Sequence, residues 1–403
     1  MIRFLTAGES HGKALITIVE GFPSNLSISS KDIDHHLKRR QGGYGRSIRM
    51  KIETDSVQIL SGIRFGKSLG SPISFLIENK DWVNWEEVLS IKKPIGPIKK
   101  ITIPRPGHAD LVGVSKYNFD DLRNSIERSS ARETAARVAA GSVARIFLEH
   151  FGIHIGSFVE SVAGIYSSQD YFSQLLQNKT SPGKTGCDIS VKADKSAVRV
   201  LDVLQEKKII SKIKSIKKSG NTVGGTFIAI ATGVPVGLGS FMHYDRRLDA
   251  DIAFHLMSIN AVKGVEIGNG FMNAEQYGSE VHDEIILDGK RFSRKTNHSG
   301  GIEGGISTGL PIIIRAAMKP ISTLAKPLNS IDLNSMKKVL SRYERSDFTA
   351  VPSCAVVAES MLAWVIAKHF LIKFGGDSLE ETKDNFNSFT KNSFNRIRKG
   401  FRK

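Results

Sequence analysis

Residues 127–152, ERSSARETAARVAAGSVARIFLEHFG, contain the clearest helix pattern in the chain. Ser130 and Glu133 form a capping box, with a hydroxyl at the N-cap and a carboxylate three residues later, so a helix is predicted to begin near Ser130. Small side chains then recur at four-residue spacing from Ala136 to Ala144. A face of alanines lets another backbone approach closely, and we therefore expect this helix to be buried between neighbouring elements.

The start of this predicted helix also carries groups that bind anions. Arg128, Ser129, Ser130 and Arg132 are crowded there. Backbone N–H groups, hydroxyls and guanidinium groups together favour an anion at the positive end of a helix. The same residues are equally compatible with a capped helix whose arginines are solvated. This segment by itself leaves both interpretations open.

The composition is that of an ordinary globular protein. Of the 403 residues, 40% are apolar and 24% are charged, which is typical of a chain with a large core. The first residues show no signal-peptide pattern, and the apolar residues 355–372 are interrupted by Glu359 and Lys368. Two cysteines argue against a disulfide framework. We expect a cytoplasmic protein without a membrane span, with one domain over residues 1–375 and a basic, flexible tail over residues 376–403.

The net charge of +17 is compatible with binding either to nucleic acid or to a small polyanion. The chain lacks the aromatic-interleaved basic strand that is typical of RNA-binding modules, so we expect no nucleic-acid partner. A helix predicted over residues 248–262 carries Asp249, Asp251 and His255. Because it has one histidine and no clear third ligand, we assign these acids to the helix dipole and predict no metal site.

Two histidines occupy loops that would leave their side chains accessible. His11 follows Ser10 in AGESHG, between two predicted strands, and His108 lies in IPRPGHAD, where two prolines and a glycine fix the direction of the loop. A turn histidine without a catalytic role is the alternative for each. A further glycine-rich segment, RRQGGYGR at residues 39–46, follows a predicted helix and could close over an anion.

The chain also contains an internal repeat. The pattern Gly-Ile-x-x-Gly-x-x-x-Gly-x-Pro-Ile begins at Gly62 and again at Gly301. The sequence Glu-Arg-Ser also occurs twice, with Arg128 and Arg345 as its central residues. The order is the same each time: a glycine-rich turn, a strand, then Glu-Arg-Ser before an apolar helix. This indicates two pseudo-symmetric halves. A ligand is then expected between the halves, flanked by Arg128 and Arg345.

Taken together, these segments resemble the chorismate synthase family. The similar segments are long and extend over nearly the whole chain, in the order that the family has. They are GESHGKALITIVEGFP at residues 8–23, RRQGGYGR at 39–46, PGHAD at 106–110, ERSSARETAARVAAG at 127–141, SINAVKGVEIG at 258–268, and RSD at 345–347 followed by AVVAE at 355–359.

The resemblance implies an α+β fold, a β-α-β sandwich, and a homotetramer. It also implies conversion of 5-enolpyruvylshikimate 3-phosphate to chorismate by anti-1,4-elimination of phosphate and a C6 hydrogen, a step of aromatic amino acid biosynthesis. The implied cofactor is reduced FMN, with NADPH as a candidate reductant. A substrate with one phosphate and two carboxylates fits a cleft of arginines. A different flavin enzyme, doing net redox chemistry, is the remaining alternative.

Catalytic roles follow from the same resemblance. His11 would protonate the departing phosphate, with Ser10 helping to bind the substrate, and His108 would support the reduced flavin. Asp347 would take the proton of flavin N5. Each role needs a group that gains, loses or polarises a proton near neutral pH.

Binding residues are implied in the same way. Arg40 and Arg46 would contact the substrate or NADPH. Two residues depart from the family pattern. Ile321 lies within the segment of implied flavin contacts at residues 319–323, and Phe348 directly follows the RSD sequence. The implied FMN contacts are Arg128, Ser129, Ser130, Asn260, Ala261, Gly304, Lys319, Pro320, Ile321, Ser322, Thr323 and Arg345.

Overall fold

The computed structural model describes residues 2–46, 54–94, 96–178, 186–289, 291–344 and 346–400. Its strands alternate inward apolar and outward side chains where one face is covered, as in Ala14–Glu20, where Leu15 and Val19 are buried. The strands are β1 (Arg3–Ala7), β2 (Ala14–Glu20), β3 (Gln58–Ser61), β4 (Ile63–Arg64), β5 (Lys67–Ser68), β6 (Ile73–Glu78), β7 (His154–Val162), β8 (Ile165–Tyr166), β9 (Gly225–Thr232), β10 (Val262–Ile267), β11 (Ile285–Asp288), β12 (Arg291–Arg294), β13 (Ile302–Glu303), β14 (Ile306–Ser307), β15 (Ile312–Met318), β16 (Asn329–Asp332) and β17 (Lys337–Leu340).

The helices differ in how far they are buried. Most show one apolar face, whereas the long helix Val351–Phe374 is buried on nearly every side. The helices are α1 (Ser30–Gln41), α2 (Asp110–Tyr117), α3 (Leu122–Ser129), α4 (Thr134–Glu149), α5 (Tyr171–Leu176), α6 (Gly186–Asp194), α7 (Val203–Ser219), α8 (Leu248–Met257), α9 (Gly270–Asn273), α10 (Gly278–Val281), α11 (Val351–Phe374) and α12 (Leu379–Gly400).

Two antiparallel sheets enclose a layer of helices. Four of the described strands form one sheet in the order β1-β2-β6-β3, and five form the other in the order β10-β15-β9-β7-β8. Helices α4 and α11 pack against each other between them, α4 on β2 of the first sheet and α11 on β7 and β9 of the second. This arrangement is a β-α-β sandwich, and the predicted α+β fold is confirmed.

The start of α4 differs from the prediction. Ser130 is the C-cap of α3, and its hydroxyl accepts the backbone N–H of Arg132 in a single 3-10 turn before α4 begins at Thr134. The Glu133 carboxylate does not close a capping box; it accepts the hydroxyl of Thr6 at 2.9 Å. A helical turn therefore does start at Ser130 as predicted, but it is a 3-10 turn without a capping box, and the α-helix itself begins at Thr134.

The two glycine-rich repeats have the same conformation. Gly62 and Gly301 have φ angles of +81° and +82°, which favour glycine. A Cβ atom at either position would lie 2.5 Å from a carbonyl oxygen, that of Pro72 or that of Pro311. Each glycine precedes a hairpin made of two strands of two residues each, β4–β5 or β13–β14, and the two hairpins have the same strand register.

Equivalent serines hold the two hairpins. Ser68 donates its hydroxyl to the carbonyl of Pro23 at 2.7 Å, and Ser307 donates to the carbonyl of Pro235 at 2.6 Å. In both halves the hairpin is thus tied to the segment that leaves a central strand, β2 in one half and β9 in the other. The predicted pseudo-symmetry of the two halves is confirmed.

The C-terminal segment forms a helix where a flexible tail was expected over residues 376–403. In α12, Leu379 is buried, and the ring of Phe386 packs on the rings of Phe370 and Phe374 at the end of α11. The beginning of α12 is therefore attached to the core by aromatic contacts.

One described helix, α11, is long and apolar enough to cross a membrane by length and composition alone. However, 83% of its most apolar window is buried inside the structure. It also carries Glu359 in an ion-pair network with Arg39, Arg145 and Arg199. These features are typical of the core helix of a globular fold.

Candidate active site

A cavity of about 700 Å³ lies between the two halves and is lined from both. Its wall combines the loop before β2, the end of α1, the segment between α3 and α4, and the segments that flank α8, β15 and α11. The cavity brings together most of the residues that the resemblance implied: Ser10, His11, Arg40, Arg46, His108, Ser129, Ser130, Asn260, Ala261, Lys319, Pro320, Ile321, Ser322, Thr323 and Asp347.

Three of the implied residues are not among those lining this cavity. Arg128 turns away, and its Nη2 donates to the backbone carbonyl of Thr6 at 3.1 Å and to the Thr6 hydroxyl at 3.0 Å. Gly304 lies in the turn between β13 and β14. Arg345 lies outside the described residues. Of the two arginines expected to flank a ligand, Arg128 therefore does not contact the cavity in this structure.

His11 is held by an acid from α3. Its Nδ1 lies 3.0 Å from each carboxylate oxygen of Glu127, and its backbone N–H donates to Glu127 at 2.8 Å. The ring stacks on Trp85, with centroids 4.0 Å apart. Burial opposes ionisation of Glu127, but the interactions with His11 prevail and lower the pKa of this carboxyl.

His108 belongs to a second cluster of charged groups. Its Nδ1 lies 2.5 Å from Asp110 at the start of α2, and it is 3.1 Å from a guanidinium nitrogen of Arg105. Arg105 also forms a fork on Asp110 and donates to Thr323 and Glu344. Although Asp110 is fully buried, its bonds to His108 and Arg105 keep its pKa well below the ordinary value.

Asp347 is paired with the glycine-rich segment. Its carboxylate lies 2.7 Å from Nη1 of Arg46, and both side chains are largely buried. The next residue, Phe348, donates its backbone N–H to the carbonyl of Gly45 at 2.9 Å. The two family segments RRQGGYGR and RSD, far apart in sequence, are therefore joined at the cavity wall.

A buried pair of arginines shares one carboxylate. Asp55 accepts from Nη2 of Arg40 and from Nη1 of Arg132, each at 2.5 Å. Burial opposes ionisation of Asp55, but the two guanidinium groups lower its pKa. Two cations for one anion leave an excess positive charge beside the cavity, which favours a bound anion.

The sequence did not single out Arg105, Glu127 or Glu344, although each holds a cavity group. A signal for the two glutamates was present, because they open the repeated Glu-Arg-Ser sequences. From the sequence, a ligand-binding role was assigned only to the second residue of each repeat, Arg128 or Arg345. In the structure the first residue of each repeat is the one bonded to a nitrogen-bearing side chain of the cavity wall, Glu127 to His11 and Glu344 to Arg105.

Comparison with known proteins identifies one family. A family sequence model described as chorismate synthase matches residues 2–371. A chorismate synthase of Prosthecochloris aestuarii is 52% identical over 96% of this chain and 98% of its own. One of Alkaliphilus metalliredigens is 50% identical over 97% of this chain and 100% of its own. A crystal structure of chorismate synthase superposes with a TM-score of 0.78, 41% identity and 98% coverage of both chains.

The fold and the basic cavity between its halves are those of an enzyme for a small anionic substrate. The matches cover almost all of this chain and almost all of each relative. The chain belongs to the chorismate synthase family. It is a carbon–oxygen lyase of the shikimate pathway that eliminates phosphate from 5-enolpyruvylshikimate 3-phosphate to give chorismate.

Proposed function

We propose that the elimination takes place in the cavity between the two halves, with reduced FMN bound there beside the substrate. The observation that carries this proposal is that His11, His108 and Asp347 line one cavity together with four arginines of the first half, Arg40, Arg46, Arg105 and Arg132. Two histidines and one carboxylate among guanidinium groups suit the loss of a phosphate and a hydrogen from a polyanionic substrate.

The residues of the cavity fit a flavin mononucleotide. The buried Oδ1 of Asn260 has no hydrogen-bond partner among the described residues, while its Nδ2 is fixed on the carbonyl of Ser129 at 3.0 Å. An oriented, unsatisfied acceptor of this kind suits a ligand N–H. Ser129, Ser130, Ala261 and the segment 319–323 would complete the contacts, and a phosphate group suits hydroxyls and lysine.

When bound, reduced FMN would supply electron density that assists departure of the phosphate and an acceptor for the C6 hydrogen, with no net oxidation. His11 protonates the phosphate as it leaves, so that a less charged group departs. His108, whose Nδ1 is held by Asp110 with Arg105 beside it, would support the reduced flavin. Asp347 accepts a proton at its carboxylate, and its pairing with Arg46 holds it in place.

Substrate binding is assigned to Ser10, Arg40 and Arg46. The charge of Arg40 is buried beside Asp55 and Arg132, and an anion would recover part of the cost of that burial. Arg40 and Arg46 would also serve NADPH, if this chain reduces its own flavin.

Assembly and location are proposed from the surface and the cysteines. Leu5, Ile16 and Ile18 are exposed on the outer face of the first sheet, which suits burial against another copy in a homotetramer. Cys354 is a free, buried thiol, and burial raises its pKa to about 12. An unpaired thiol fits a reducing cytoplasm.

An anaerobic assay tests the proposed site. With dithionite-reduced FMN and 5-enolpyruvylshikimate 3-phosphate, we expect one phosphate per chorismate. His11→Ala and Asp347→Asn should each lower kcat by about 100-fold or more, whereas His243→Ala, at an exposed histidine paired with Asp245, should not change it. Wild-type kcat in both site variants would refute the assigned roles.

A further inference from the structure

His11 is held on two sides by one buried carboxylate. The imidazole Nδ1 and the backbone N–H of His11 both meet the carboxylate of Glu127, at 3.0 Å and 2.8 Å. The preceding residue adds a backbone bond, because Ser10 donates its N–H to the carbonyl of Glu127 at 3.1 Å. Only 2% of the Glu127 side chain is exposed. The loop and the ring are therefore positioned by the same residue.

The face of the imidazole is fixed as well. Trp85 stacks on His11 with an interplanar angle of 27°, and its indole N–H donates to Asp81 at 3.0 Å. The guanidinium of Arg123 lies 5.1 Å from the centroid of the Trp85 ring and 3.7 Å from the carboxylate of Glu127. Glu127 thus holds one edge of the His11 ring and Trp85 holds its face.

This arrangement selects one tautomer of the histidine. A carboxylate accepts but cannot donate, so the neutral ring must carry its proton on Nδ1 when it is bonded to Glu127. Free imidazole side chains favour a proton on Nε2, and the partner of the other nitrogen decides which form is present. With Nδ1 engaged, Nε2 is the ring nitrogen that exchanges a proton with a ligand: the imidazolium form donates from Nε2 and is left as the neutral ring with its proton on Nδ1.

We propose that Glu127 is the positioning residue for His11, which orients the ring and imposes the Nδ1–H tautomer so that Nε2 serves the reaction. The kinetic part of this inference rests on the proposed role of His11 as the proton donor. The structural part, the tautomer, does not depend on that role and can be measured separately.

The tautomer is tested by nitrogen-15 NMR of the histidine side chains, with His11→Ala to assign the resonance. At a pH where the ring is neutral, wild-type protein should show Nδ1–H at His11. Glu127→Ala should change the majority form to Nε2–H, while Glu127→Gln, which keeps an acceptor oxygen, should retain Nδ1–H. An unchanged tautomer in Glu127→Ala would overturn the inference.

The positioning role is tested by anaerobic kinetics of the same variants. Glu127→Ala should lower kcat by about 10- to 100-fold, as expected when the orienting partner of a functional histidine is removed. The KM for the substrate and the Kd for reduced FMN should stay within about twofold, and Glu127→Gln should restore part of kcat. Glu160→Gln, at a largely buried glutamate paired with Arg315 on the other sheet, is the matched control.

The outcomes separate the two proposals. Wild-type kcat in Glu127→Ala, together with loss of activity in His11→Ala, would refute the positioning role alone. Wild-type kcat in His11→Ala would refute the catalytic role of His11 and, with it, the kinetic part of this inference, and the NMR result would still decide the tautomer. If Glu127→Ala does not fold, Glu127→Gln gives the decision: full kcat with an Nε2–H ring would overturn the inference.

Discussion

Gly141 and Ser360 touch where the two central helices cross: a Cβ atom at Gly141 would lie 2.4 Å from the Cβ of Ser360. Both residues are buried, and α4 and α11 carry most of the contacts that join the two halves. Backbones can approach this closely only where one side chain is absent. The alanine face that the sequence showed in residues 127–152 is therefore used to bring the helices together.

We predict that Gly141→Ala will destabilise the protein by about 1–3 kcal/mol, because the added methyl group has no room and the helices must separate. Urea unfolding followed by circular dichroism would measure it. Gly264→Ala in β10 is a suitable control, since its Cβ would meet only Ala317, at 3.6 Å. A Gly141→Ala protein as stable as wild type would show that the crossing can relax.

Glu359 gives a second prediction about the core. Its carboxylate is fully buried and accepts from Arg39 at 2.7 Å and 2.9 Å, from Arg145 at 2.5 Å and from Arg199 at 3.0 Å. Despite burial, these cations hold the pKa of Glu359 well below its usual value. Glu359 is the final residue of the family segment AVVAE at residues 355–359, and its contacts are with core residues and not with the cavity.

Glu359→Gln should therefore cost about 3–5 kcal/mol of stability, because it removes the buried anion that three guanidinium groups share, and Asp194 remains to pair only with Arg39 and Arg199. Thermal or chemical unfolding would measure this loss. Glu303→Gln, which removes a surface partner of Arg294, should cost less than about 1 kcal/mol. If the two variants lost the same amount of stability, burial of the Glu359 ion pairs would not be what makes them stabilising.

The third prediction concerns acid stability. The folded-state pKa of Asp110 is lowered from 3.8 by its bonds to His108 and Arg105, against the opposing effect of burial. A carboxyl with a lowered folded pKa stabilises the protein at pH values above its unfolded pKa. That contribution is lost as the pH falls through 3.8 toward the folded value.

The free energy of unfolding of the wild-type protein should therefore fall between about pH 5 and pH 3. Asp110→Asn, which cannot ionise, should give a lower stability at pH 7 and a shallower fall toward acid pH. Urea unfolding at several pH values would test it. Because other buried carboxyls, such as Asp55, also have lowered pKa values, the slope should decrease but not vanish. An unchanged slope would contradict the prediction.

Local patterns were enough to predict many elements of the fold. The strand pair around AGESHG became β1 and β2, the helix before RRQGGYGR became α1, and the repeated glycine turns became equivalent hairpins. These features depend on residues that are close in sequence, because hydrophobic periodicity and the conformational preferences of turn residues determine local structure.

The partners inside the site could not be predicted in this way. Glu127 is 116 residues from His11, and Arg105 is 239 residues from Glu344. The first pair forms when α3 packs beside the loop before β2, and the second forms where the two halves meet; no local pattern encodes either contact. The predicted capping box at Ser130 fails for the same reason. Helix α3 ends at Ser130, and the Glu133 carboxylate accepts a hydrogen bond from Thr6, which is distant in sequence.

The last prediction concerns Arg105, which lines the cavity and connects both halves of the site. Its Nε and Nη2 form a fork on Asp110 at 2.9 Å and 3.0 Å, while Nη1 reaches Thr323 at 3.0 Å and Glu344 at 2.9 Å. Lysine keeps the charge but cannot reproduce a planar fork with five donors. Arg105→Lys should therefore release Asp110 and His108 from their fixed geometry and lower kcat by about 10-fold or more in the anaerobic assay. Arg247→Lys, at an exposed arginine paired with Asp249, should keep wild-type kcat. Equal kcat in the two variants would mean that charge alone, and not the geometry of the guanidinium, is what the site requires of Arg105.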